Sequence, residues 1–169
     1  CIVERVKVGA RYQWRPVVLR ERRRIKGGLP LDLRMDVLPE FAGLLKEYGC
    51  ASWWSDGWAG DAVEIVGSQN GIATKFVSTS TATRDVYEPI DTALAQTPCP
   101  VALNGCENIE AAVAQLRQVK RGNDGTAIVP HAGSDHGELG QVLARALAHA
   151  GVGALPPDDS ASKFVAIPD

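Results

Sequence analysis

The sequence predicts an α/β protein: a layered sandwich with a parallel C-terminal βαβαβ half and an added antiparallel hairpin. Three observations carry this. From Pro100 onward, short apolar runs alternate with helical patterns: PVAL, residues 107–120, TAIVP, residues 139–150 and KFVAI. The links between them are short, which favours right-handed crossovers and a parallel sheet, and the runs are uninterrupted, as in strands covered on both faces. Upstream, AVEIV and IATKFV flank a turn ending in Asn70-Gly71, which reads as a hairpin over residues 62–77.

At the N-terminus, Val3, Val6 and Val8 partly alternate with charged residues, and Tyr12, Trp14, Val17 and Val18 follow. One or two strands are expected, with Pro16 marking an edge or a break. Gly27-Gly28 and Pro30 then punctuate the chain, so residues 1–28 form a basic N-terminal arm or edge strands, and residues 29–169 a single α/β domain. Asp36 is placed to cap a helix running to about Tyr48, with Val37, Leu38, Phe41, Leu44 and Leu45 at helical spacing, Pro39 in its first turn and Gly49 at its end. Residues 50–61 read as a tryptophan-rich loop. Asp85, with Glu88 three residues on, resembles a capping box for a second helix whose apolar face is Val86, Ile90, Ala93 and Leu94. Ile109, Ala112, Val113, Leu116 and Val119 mark a third helix. Leu139, Val142, Leu143, Ala146, Leu147 and Ala150 mark a fourth, capped by Gly151.

A chain of 169 residues with 45% hydrophobic and 22% charged content has enough apolar material for one buried core, which argues against a disordered or fibrous protein. No run of 18 apolar residues occurs. The four cysteines, Cys1, Cys50, Cys99 and Cys106, contain no CxxC pair, so a reduced, cytoplasmic setting is expected, with a Cys99–Cys106 disulfide as the alternative. Charge is lopsided: residues 1–26 hold nine basic and two acidic residues, a balance of +7 in a chain of net charge −2.

That asymmetry makes Arg20, Arg22, Arg23, Arg24 and Lys26 candidates for binding nucleic acid or an anionic membrane. Their ordinary reading is a solvated linker, since only Ile25 interrupts the charges and no aromatic stands inside the run to stack on bases. Were a membrane segment to precede Cys1, the same run would be juxtamembrane.

Two further surfaces stand out. The loop at residues 131–137 follows an expected strand and opens a helix, where α/β sheets usually place ligands, and it carries His131, Gly133, Ser134, Asp135 and His136. His131, Asp135 and His136 are possible metal ligands, the glycines and helix start suit an anion, and Asp135 is equally an ordinary helix cap. Trp53, Trp54 and Trp58 cannot all face one core from a loop, so at least one is expected to be partly exposed and available to a partner.

No G-x-S-x-G elbow, P-loop or dinucleotide fingerprint is present, so nucleotide chemistry of the usual kinds is not indicated and the sequence identifies no particular cofactor. The leading expectation is a non-catalytic binding module for a small polar ligand or a protein partner, including a second copy of the chain. A metal-dependent hydrolase using His131, Asp135 and His136 is the alternative, and a nucleic-acid or anionic-membrane binder acting through the basic arm is a third.

Overall fold

The computed structural model describes residues 1–22, 28–55, 57, 59–76, 83–118, 120–121, 123, 127–128, 138–152 and 165–166. The chain mixes helices and strands, with a parallel pair and an antiparallel N-terminal hairpin among the described residues, and is broadly α/β.

The hairpin is β1 (Ile2–Val8) with β2 (Arg11–Val18). Gly9, at φ +64°, supplies the left-handed conformation its tight turn requires. Register runs from Val8↔Arg11 to Val3↔Pro16 and slips by a bulge before Ile2↔Val18. On its other side β1 pairs antiparallel with β7 (Val165–Ala166). The outer edge of β2 is bridged where the Trp14 N–H donates to Pro100 O and the Ala102 N–H to Trp14 O, each at 2.8 Å, so PVAL supplies a single parallel bridge at Val101 rather than a strand.

After the basic run, Asp32 rather than Asp36 caps the next helical segment, its carboxylate accepting from the Arg34 and Met35 amides at 2.9 Å. A π-helical turn (Leu33–Val37) leads into α1 (Leu38–Glu47), and Gly49 at φ +66° ends it. The expected tryptophan loop is instead β3 (Ser52–Ser55).

The expected hairpin over residues 62–77 is corrected outright. Its first half is helix α2 (Gly60–Gln69), its second is β4 (Ala73–Phe76), and β4 runs parallel to β3. The apolar residues of AVEIV satisfy a helical spacing as well as a strand's: Val63 and Val66 are buried three apart, while Ile65 points outward. Asn70-Gly71 terminates α2, with the Asn70 side chain donating to Val66 O at 2.8 Å.

Among the described residues the βαβ unit with parallel strands thus lies at residues 52–76. Downstream, α3 (Thr83–Leu94) begins before Asp85, so that residue lies within the helix and is not its cap. Next come α4 (Ile109–Arg117), β5 (Lys120–Arg121), β6 (Ala127–Ile128) and α5 (Glu138–His149). Among the described residues the C-terminal pairings are antiparallel, β5 with β6 and β7 with β1. Only residues 122–126 separate β5 from β6, far too few for a parallel crossover.

Two cores lie on opposite faces of the strands. Val3 joins Leu19, Val86, Ile90, Ile109, Leu139, Leu143 and Leu147 beneath α3, α4 and α5. Ile2, its neighbour in β1, joins Leu38, Leu45, Trp53, Val63, Val66 and Ile72 beneath α1 and α2. Successive strand residues point to opposite faces, so the start of β1, at Ile2 and Val3, is covered by core on both sides. Helices α4 and α5 pack closely at Gly140, whose N–H donates to Gln115 Oε1 at 2.7 Å; a Cβ there would lie 3.0 Å from Gln115 Cβ. Among the described residues no helix is long and apolar enough to cross a membrane.

Candidate functional site

Several residues singled out by the sequence fall outside the described residues: His131, Gly133, Ser134, Asp135, His136, Trp58, Arg23, Arg24 and Lys26. Among the described residues no group of three or more His, Cys, Asp or Glu side chains could hold a metal ion.

Arg20 and Arg22 are tied to the body of the protein. Both guanidinium groups meet Glu40 of α1, at 3.5 Å from Arg20 and 3.6 Å from Arg22, and Arg20 also lies 3.9 Å from Glu107. These pairs are exposed and each contributes little to stability. Their positional effect is larger: two carboxylates already compete for the cations that an anionic partner would need.

Trp53 is a core residue with no exposed surface. Its indole N–H donates to Thr74 Oγ1 at 2.6 Å, and Thr74 is its register partner on β4. Gly67 of α2 lets the helix backbone approach this pair. A Cβ at that position would sit 2.7 Å from Thr74 Oγ1, 2.9 Å from Ile72 O and 3.1 Å from Trp53 Nε1.

Trp54 faces the opposite way and packs against the first core, partly exposed. His149, at the end of α5, stacks on it, and the Lys75 ammonium lies 5.1 Å from its ring centroid. Burial, and secondarily the Arg145 charge, hold the His149 imidazole below its ordinary pKa of 6.5. Burial likewise pushes the Cys50 thiol up to about 11 and the Tyr87 phenol up to about 12. The four cysteines are thiols, and Cys99 and Cys106 are not bridged.

Two concave surfaces lie on the hairpin among the described residues. One depression of about 660 Å³ is lined by Val6, Lys7, Val8, Gln13, Arg15 and residues 102–104. A second, of about 450 Å³, shares Arg15 and Asn104 and continues past Glu4 and Val17 to Tyr48. Strand alternation places Glu4, Val6 and Val8 of β1 on the same face as Gln13 and Arg15 of β2. Arg15 is held by Glu4, its Nε donating to Oε1 at 2.6 Å with Nη2 on the same oxygen. Gln13 Nε2 donates to Cys99 O at 3.4 Å.

Sequence reasoning passed over Gln13, Arg15 and Asn104. The period-2 pattern of Glu4, Val6 and Val8 was the available signal for the face. That the chain returns at residues 100–105 to wall it is a long-range fact with no local signature.

Comparison with protein-family models, with curated proteins and with solved structures gave no match.

Proposed function

We propose that the chain is a non-catalytic α/β binding module, its helices layered on both sides of the strands as a sandwich, that recognises a small polar ligand in the depression beside β1 and β2. The observation that carries this is the mixed lining around Arg15: a guanidinium held in place by Glu4, the Gln13 and Asn104 amides, and the apolar walls of Val6, Val8 and Leu103. Small-molecule sites combine a few fixed polar groups with apolar walls in this manner. Arg presents a planar fork of donors suited to a carboxylate, so a small carboxylate with an apolar portion is the matching class. A protein partner offering an acidic side chain would use the same groups.

Thermal shift with a panel of free amino acids and short mono- and dicarboxylates tests the reading, since a ligand that binds only the folded state raises its stability. At least one should give a saturable shift that is lost in Arg15→Ala and reduced in Gln13→Ala. A panel without a saturable response, or a response indifferent to Arg15→Ala, counts against it.

A further inference from the structure

The opposite face of the same hairpin has a different chemistry. There β1 carries the cations Arg5 and Lys7, and β2 carries Trp14 and Tyr12 directly across from them in register. The Arg5 guanidinium carbon lies 3.7 Å from the Tyr12 ring centroid and 5.9 Å from that of Trp14. Trp14 packs on the first core and so roots the face in the body, whereas Tyr12 is 37% exposed near the tip. Lys7 is exposed and forms no ion pair among the described residues.

We propose that this face binds single-stranded nucleic acid, with Lys7 on a phosphate and the Tyr12–Arg5 stack receiving a base. Cations alone attract any polyanion; cations alternating with π-faces select one that carries planar rings. Strand geometry sets Arg5 and Lys7 about 6–7 Å apart along β1, a pitch an extended polynucleotide backbone can follow. Residues 1–18 hold four basic residues and one acidic residue in a chain of net charge −2, so the field steers a polyanion to the hairpin and away from the acidic remainder. A duplex keeps its base faces stacked inside, which leaves the aromatic ring without a partner. The aromatic stack lies on the face of the hairpin opposite Arg15 and Gln13, so Tyr12→Ala separates this site from the carboxylate depression, which Lys7 also borders.

Fluorescence anisotropy of the whole chain with a labelled 20-nucleotide oligo-dT tests it. The expected result is binding that weakens steeply as salt rises, falls about tenfold in Tyr12→Ala and falls further in a Tyr12→Ala, Lys7→Glu double variant. An abasic oligomer of equal length should bind more weakly and be insensitive to Tyr12→Ala. Tyr12 and Lys7 are exposed positions, and an unchanged far-ultraviolet dichroism spectrum checks folding. Absence of binding at low salt, affinity unchanged by Tyr12→Ala, or equal affinity for a 20-base-pair duplex or for anionic phospholipid vesicles overturns the proposal.

Discussion

The imidazole of His149 lies flat on the indole of Trp54, with ring centroids 4.4 Å apart and planes inclined by 16°. This contact fastens the last turn of α5 to the face of β3 that the first core covers. It also fixes how the protein responds to acid. His149 is held below its ordinary pKa, so the unfolded chain takes up a proton more readily than the folded one, and the stability difference is fully present above pH 6.5. As pH falls through 6.5 that contribution is lost, until the folded imidazole is protonated as well.

Urea midpoints at pH 7.5, 6.5 and 5.5 should therefore decline in the native chain. His149→Phe keeps a ring on Trp54 and removes the titration, so its midpoints should be flatter across the same window. Equal slopes for the two proteins would show that another group governs the acid response.

Trp53 and Thr74 define the second prediction. Trp53→Ala should cost about 3–5 kcal/mol, the range for emptying a large aromatic from a core. Thr74→Val preserves shape and removes the acceptor of the indole N–H, and should cost about 1–3 kcal/mol. Chemical denaturation of both variants checks the ordering; a Thr74→Val protein as stable as the native one would mean that the hydrogen bond contributes nothing net.

The glycines of α1 and α2 should respond in opposite senses. Gly43→Ala adds a methyl group in a helix where no atom lies within 4 Å, and should stabilise by roughly 0.5–1 kcal/mol. Gly67→Ala brings a Cβ within 2.9 Å of the Ile72 carbonyl oxygen, a backbone atom that cannot rotate aside, and should destabilise by about 1–3 kcal/mol. Melting curves that move in the same direction for both would contradict the packing described at Gly67.

Cys50 is 5% exposed and its thiol is pushed up to about 11 by burial, so little thiolate exists near neutrality. Iodoacetamide at pH 8 should modify Cys50 slowly in the folded chain and rapidly in urea. Peptide mass spectrometry resolves the site, and rapid native labelling at Cys50 would contradict its burial.

Long helices with a single apolar stripe were legible from sequence. α5 buries Leu139, Val142, Leu143, Ala146 and Leu147, and α1 buries Leu38, Phe41 and Leu45, as their spacing predicts. Short apolar runs were not. AVEIV suits a strand and a helix turn equally, and it forms a helix whose Gly67 lets Trp53 and Thr74 approach from elsewhere in the fold. The C-terminal runs look like parallel strands by composition, yet their partners depend on which segments return beside them. For the same reason the site was half visible: the cationic run near Arg20 advertised itself, while its engagement with Glu40 and Glu107 rests on α1 and the segment before α4.

Because Trp53 and Trp54 are adjacent in β3 but packed into different cores, the chain carries two optical reporters one residue apart, each reading a separate compartment. With Trp14 and Trp58 replaced, leaving either indole as the sole emitter would distinguish a molecule whose halves melt together from one in which the α1–α2 side loosens first. Adjacent positions on one short strand then give a direct measure of cooperativity across the sheet.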